Sequence, residues 1–294
     1  MRERGPKARR HEGTKGWAIE PGLVLILARK EVRDALRNRW FILYAVCFAV
    51  LSLSLASLAL AGTGRYGLAG FGRTAASLIN LVLLVVPLMG LTIGAGAIAS
   101  ERERGTLETL LSQPIHRIEI LLGKFAGLAT ALAGALALGF GSTAALLAAK
   151  SHSANIAGYA SIFGLSVLLA WAMLSVGFLI SALARRASLA LGVAVFAWLA
   201  FVFLGDLGLM GSALTLNLSS SELLAASLLN PLQVFKLLAV SGIHRSLDLL
   251  GPAGLYASQT FGRTLPLLLG GVLAAWIALP LIPAAIAFSR RSIR

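Results

Sequence analysis

Catalysis, nucleotide binding, metal transfer and proton relay each require a recognisable set of side chains, and this sequence supplies few of them. A phosphate-binding loop needs a glycine, four residues and then Gly-Lys-Ser/Thr, so that backbone amides cradle the phosphates. Gly123 and Lys124 are followed by Phe125 and lack the upstream glycine, so the chain does not bind ATP by that device. A membrane enzyme would place paired carboxylates, histidines or a nucleophile near one face. The long apolar runs hold no such cluster, and Asp206 stands alone near the end of one of them. Soft metal ligands are dispersed, with Cys47, Met89, Met173 and Met210 far apart and His11, His116, His152 and His244 in four different polar segments. A metal relay wants such ligands together, so no metal site and no directly bound cofactor are expected. Proton coupling is weakened by the same absence, because a relay needs Asp, Glu or His at depth.

The densest cluster of ionisable groups outside the N-terminal region is the stretch 100–125, which begins Ser100-Glu-Arg-Glu-Arg-Gly-Thr-Leu-Glu108. It lies between two apolar runs. Ser100 with Glu103 fits a capping box at a helix start, Gly105 can turn the backbone, and Thr106 can cap a short helix carrying Leu107, Leu110 and Leu111 on one side. Pro114 then starts the next helix, where its missing N–H costs nothing. Exposed leucines beside charges are what a docking surface for another protein needs.

The elements that must position this segment are set by composition. The 294 residues are 57% hydrophobic and 13% charged, against roughly 45–50% apolar and about 25% charged in soluble domains. Uncharged runs extend from Trp40 to Gly64, Thr74 to Ala99, Phe125 to Ala149, Ser153 to Ala184, Ala187 to Gly205 and Thr264 to Ser289. Each is close to or above the ~20 residues a helix needs to cross a bilayer. Backbone groups in lipid must be satisfied within the segment, so the spans are helices. The expected fold is an all-α, polytopic membrane protein with six spans at about 40–62, 75–99, 125–149, 156–183, 188–208 and 265–288.

The net charge of +14 is read through its location rather than as a sign of nucleic-acid binding. With the N-terminus inside, 20 Lys and Arg fall on the cytoplasmic side and six on the other. That asymmetry obeys the positive-inside rule and places both termini in the cytoplasm. Residues 1–20 read as a disordered basic tail, with no cleaved signal peptide expected and the first span retained as an anchor. From 21 to 39 the pattern predicts an interfacial helix, with Leu25, Ala28, Val32, Ala35 and Leu36 on one face and Lys30, Arg33, Asp34, Arg37 and Asn38 on the other, in contact with membrane lipids. Lys150 with His152, and Arg185 with Arg186, mark tight turns without room for a site. The connection 209–263 reads as two short amphipathic helices broken at Asn230 and Pro231 and lying on the outer mouth. A seventh span there is disfavoured by Asn230, Gln233 and Lys236. Asn230, Pro231 and Lys236 are candidates for an outer partner surface.

Taken together, these residues resemble the ABC-2 type transporter permeases. The plan of that family is an amphipathic elbow helix, six spans and, between the second and third, a coupling helix with Glu before Gly-Thr-Leu-Glu and Pro, Arg and Gly-Lys further on. Glu103, Gly105 to Glu108, Leu110, Leu111, Pro114, Arg117, Gly123 and Lys124 match it. Within the family the chain most resembles the permeases of the nitrous oxide reductase maturation system. The matching stretches are Arg29 to Trp40, Gly123-Lys-Phe-Ala-Gly127 with Gly139-Phe-Gly141, and Leu229-Asn-Pro231 followed by Phe235-Lys-Leu-Leu and Ser241-Gly242.

The resemblance implies a homodimer in a bacterial inner membrane, a separate cytoplasmic ABC ATPase that holds the ATP, and a periplasmic accessory protein concerned with assembling copper centres. It further implies that the segment 100–117 seats in the ATPase through Glu101, Glu103, Gly105, Thr106, Leu107, Glu108, Pro114 and Arg117. The chain itself is not expected to be an enzyme. An exporter of a drug, lipid or polysaccharide remains the alternative within the family, and a structural anchor that recruits a cytoplasmic partner would use the same docking helix. The basic tail departs from the family pattern.

Overall fold

Apolar residues dispersed around whole helices, rather than along one stripe, favour helices that bury one side against each other and give the rest to lipid. The computed structural model of the chain describes residues 21–61, 67–107, 112, 115–150, 156–215, 219–243 and 251–290, and among them there is no strand. The helices are α1 (Pro21–Arg37), α2 (Arg39–Ala61), α3 (Gly67–Glu103), α4 (Arg117–Lys150), α5 (Ile156–Leu183), α6 (Ala187–Thr215), α7 (Ser220–Leu228), α8 (Pro231–Ile243), α9 (Gly251–Phe261) and α10 (Leu265–Arg290). A 3-10 turn at Gly262–Thr264 joins the last two. Residues 1–20, expected as a tail, lie outside the described residues.

Among the described residues, six helical stretches are long and apolar enough to cross a membrane: Arg39–Leu58, Ala75–Glu103, Arg117–Ala149, Ala157–Leu183, Ala187–Gly205 and Gly254–Arg290. They correspond to the six expected spans, although the third begins at Arg117 rather than at 125 and the sixth at Gly254 rather than at 265. α3 continues through Ser100 and Glu103, which corrects the capping-box reading. The Ser100 hydroxyl donates to the Gly96 carbonyl, inside a helix that has not yet ended. Nor does Pro114 begin α4: Ile115 and His116 are outside any helix, and the His116 amide donates to Glu119 Oε2 at 3.0 Å, an N-terminal cap one turn before the apolar run.

α5 is the central helix, packed chiefly on α3 and α10. Its closest approach to α3 is made by glycines. A Cβ built on Gly94 would lie 2.6 Å from the Leu174 carbonyl oxygen and 2.9 Å from Gly177 Cα, and one on Gly90 would lie 2.9 Å from both Ala170 O and Met173 Cβ. In lipid, where apolar burial gives no advantage over the tails, such backbone contact is what holds helices together. Gly139 serves the α2–α4 contact, under the ring of Phe48, whereas Gly134 and Gly141 face open space. Phe48, Phe140, Tyr159 and Phe163 form a continuous aromatic cluster with ring centroids 5.5–5.8 Å apart. Indole N–H groups, which need acceptors when buried, find backbone carbonyls: Trp171 donates to Ala129 and Trp276 to Leu228.

The connection after α6 departs from expectation. α6 runs to Thr215, and α7 and α8 meet at a bend of 111°, so that together they are long and apolar enough for a broken seventh crossing or a re-entrant hairpin. α8 is packed into the bundle rather than amphipathic. Leu232, Val234, Phe235, Leu237, Leu238 and Ala239 are buried in the main core, against α5 and α10. Its apolar residues surround the helix rather than forming one stripe, and a helix of that kind belongs inside. α6 is the opposite case, with Phe196 72% and Leu204 70% exposed on the outside of the bundle.

Candidate functional site

Charged side chains inside the bundle must be paired, because an unpaired buried charge costs several kilocalories. One such group stands at the start of α4. Lys124, with its side chain 2% exposed, donates to Glu31 Oε1 of α1 at 2.8 Å and to Glu101 Oε1 of α3 at 2.6 Å. Lys30 joins at the half-exposed edge, 3.5 Å from Glu31, 3.4 Å from Asp34 and 4.0 Å from Glu101. Burial lowers the Lys30 pKa, but the carboxylates of Glu31, Glu101 and Asp34 together outweigh it and leave the ammonium raised above its ordinary value.

α1 reaches this cluster because α4 offers it a flat seat. Cβ atoms on Gly123 and Gly127 would lie 2.6 Å from Leu27 Cβ and 2.5 Å from the Ala28 carbonyl oxygen. The face that packs there is Leu27, Glu31 and Ala35, at the i, i+4 spacing of one helical side. Leu25 and Leu36 remain exposed, on a different side from Lys30, Arg33, Asp34 and Arg37. The helix therefore has three faces, and the sequence pattern disclosed two of them.

Further described residues of the segment 100–117 are tied to the ends of α5, α6 and α10. Arg102 Nη1 donates to the Ala184 carbonyl at the end of α5. Glu103 Oε2 accepts from the Ala187 amide at 3.0 Å, where a carboxylate meets the free N–H groups at the start of α6. The turn at Arg185 and Arg186, read as too tight for a site, is thus an anchor. Thr106 Oγ1 donates to the Glu101 carbonyl at 3.3 Å. Arg117 Nη1 donates to the carbonyls of Phe288 and Ser289 at 3.4 and 2.9 Å, closing on the end of α10.

Of the residues singled out in this segment, Glu103, Gly105 and Thr106 are exposed, Leu107 is buried, and Glu101 and Arg117 are intermediate. Gly105 has φ +73°, the left-handed conformation that glycine takes without steric cost. Glu108 and Pro114 lie outside the described residues, as do Leu110 and Leu111. Glu31 and the pairing of Lys124 escaped the sequence reading. The available signal was Glu31 itself, a carboxylate placed between Leu27 and Ala35 on what becomes the packed side of α1.

Away from this cluster, beside the middle of α6 and α10, Asn230 and Pro231 build the α7–α8 bend. Asn230 Oδ1 accepts from the Leu232 amide at 3.0 Å, an N-cap with proline at the first helical position. Its Nδ2 donates to the Phe201 carbonyl of α6 at 2.7 Å. Gly205 makes room, since a Cβ there would be 2.6 Å from that nitrogen. Asn230 and Pro231 are buried and Lys236 is intermediate. Asn230→Ala removes both the cap and the link to α6. We expect a stability loss of about 1–2 kcal/mol, read as a lower unfolding midpoint in detergent, with Asn230→Asp, which keeps the cap acceptor, losing less. Equal midpoints for parent and alanine variant would remove Asn230 from the bend.

Comparison with known proteins is consistent over nearly the whole chain. Residues 25–293 match the family model described as ABC-2 family transporter protein. A protein of Stutzerimonas stutzeri named "Probable ABC transporter permease protein NosY" is 36% identical over 274 residues, covering 90% of this chain and 97% of its own length. A protein of the same name from Pseudomonas aeruginosa is 37% identical over 227 residues, covering 75% of this chain and 82% of its own.

Proposed function

The chain belongs to the ABC-2 family of transporter proteins, as a multi-pass membrane permease, and from that premise we propose that it couples ATP hydrolysis by a separate cytoplasmic ATPase to export or mechanical work at the outer face. The observation that carries the proposal is the junction around residues 100–117. An exposed turn at Gly105 and Thr106 is rooted, through Glu101, Arg102, Glu103 and Arg117, in α1, α4, α5, α6 and α10. A force applied to the turn therefore reaches α4, α5 and α6 through single side chains, and Arg117 at the start of α4 carries it on to α10. Glu101, Glu103, Gly105, Thr106, Leu107, Glu108, Pro114 and Arg117 form this coupling element, with the exposed members meeting the ATPase and Glu101, Leu107 and Arg117 holding the element to the bundle.

ATP is held by the partner, since no phosphate-binding loop occurs in the chain. In this reading the segment and both termini lie on the cytoplasmic side of a bacterial inner membrane, α1 rests its exposed Leu25 and Leu36 among lipids, and two copies of the chain form the transporter. The likeness to the NosY permeases supports a place in the maturation of the copper centres of nitrous oxide reductase, with a periplasmic accessory protein at the outer face; of the three candidates for that surface, Asn230 and Pro231 are buried and shape the α7–α8 bend, and Lys236 alone is part-exposed. The test is a pull-down of the tagged chain from its native cell after gentle solubilisation. Recovery of an ATPase and a periplasmic maturation protein is the expected result. An ATPase alone would return the substrate to the drug, lipid or polysaccharide exporters, and neither partner would end the coupling reading.

A further inference from the structure

The two carboxylates that share Lys124 are held very differently. Glu31 is held by its helix: a Cβ on Gly127 would come within 2.6 Å of Glu31 Cβ, so α1 rests directly on the α4 backbone. Glu31 itself is 8% exposed. Glu101 stands in the last turn of α3, with its side chain 20% exposed, just ahead of the left-handed turn at Gly105. One of its oxygens is on Lys124, and the other, Oε2, is shielded from solvent without a hydrogen-bond partner among the described residues.

A shielded carboxylate oxygen without a partner forfeits its hydration and receives nothing in exchange. Glu101 is consequently the arm of the cluster that costs least to withdraw, whereas withdrawing Glu31 would require lifting α1 from its glycine seat. Lys30 is placed to follow it, since its half-exposed ammonium lies 4.0 Å from the Glu101 oxygen already on Lys124. A released Glu101 keeps a cation, and Lys124 keeps Glu31.

We propose that Glu101 on Lys124 is a releasable latch that fixes the root of the segment 100–117 to the α1–α4 pair, with Lys124 the positioning residue that sets its closed state. When the latch is closed, α1 and the turn at Gly105 move as one body. When it opens, the turn, still tied to α5 and α6 through Arg102 and Glu103, can move with them while α1 stays seated on α4. That the latch serves ATPase coupling rests on the reading given above; the latch itself is a property of this chain alone.

The experiment is distance measurement between paired spin labels on the full chain in lipid vesicles, in a Cys47→Ser background. One pair joins α1 to the turn (Arg33→Cys with Arg104→Cys), and a reference pair joins α1 to α4 (Arg33→Cys with Ile118→Cys). A single narrow distance is expected for both pairs in the parent. Glu101→Gln should broaden and lengthen the first distance and leave the reference unchanged, and Lys124→Met should do the same if it folds. A first distance that stays narrow in Glu101→Gln overturns the latch, as does simultaneous broadening of the reference pair, which would make the cluster general packing. Failure of the docking reading looks different: the latch distances respond as expected while capture of the ATPase is indifferent to substitution at Gly105.

Discussion

Replacing Gly94 with leucine is expected to abolish recovery of a monodisperse chain from solubilised membranes, the largest structural effect of any single change considered. The reason is that every atom in the way belongs to backbone. A Cβ at this position meets the Leu174 carbonyl oxygen at 2.6 Å and Gly177 Cα at 2.9 Å, and one at Gly177 meets the Leu91 carbonyl oxygen at 2.7 Å and Gly94 Cα at 2.9 Å. Overpacking against side chains costs about 1–3 kcal/mol because rotamers can move. Here α3 and α5 would have to separate along their length, and close backbone approach is the chief attraction between helices in lipid.

Two further variants sharpen the expectation. Gly96→Leu, two residues along the same helix, points a side chain where nothing lies within 4 Å and should leave recovery near the parent level. Gly177→Leu should fail like Gly94→Leu, and the double variant should be no worse than either, as expected of residues that share one contact. Normal size-exclusion profiles for both single variants would show that α5 is not the helix on which the bundle is assembled.

The six spans were legible because length and lack of charge are local properties, and the break at Asn230-Pro231 because an N-cap followed by proline is a local signal. What could not be read was which helices touch. Gly94 and Gly177 are both glycines in apolar runs, as are Gly134 and Gly141, and only the packing separates the pair in contact from the pair facing open space. Lys124 was noticed in a failed phosphate-loop match and in the family pattern, but not as an ion-pair centre, since its partners lie 93 and 23 residues away. The capping-box reading at Ser100 and Glu103 went wrong for a related reason. A serine followed three residues later by glutamate marks a helix start only if no helix is already under way, and α3 was. Glu103 instead caps α6 from across the bundle. The segment 100–117 stood out by its charge density, but its attachments to α5, α6 and α10 have no local signature.

Gly105→Trp is the functional counterpart. The backbone there is left-handed, at φ +73°, and a Cβ built on it has nothing within 4 Å among the described residues. The variant therefore costs the fold only the local penalty of a side chain in that conformation, about 1–2 kcal/mol, and should be recovered with a melting point close to the parent. Any larger effect must come from something outside the chain that needs the space. If the turn seats in a groove of the ATPase, a bulky side chain should cost about 2–4 kcal/mol of that contact, as at other interface hot spots, which is about 30-fold to several hundred-fold in affinity. Capture of the ATPase and the activity of the system should be lost together.

Gly105→Asn separates backbone from bulk, because asparagine tolerates the left-handed region; it should retain most of the capture. Glu108→Lys, which reverses a charge in the same segment, should behave like the tryptophan variant. Gly262, with φ +46° and open space around it, supplies the control at the other end of the bundle: Gly262→Trp carries a comparable backbone penalty and should leave ATPase capture untouched. A folded Gly105→Trp chain that still captures the ATPase at parental strength would place the docking surface elsewhere on this end of the molecule.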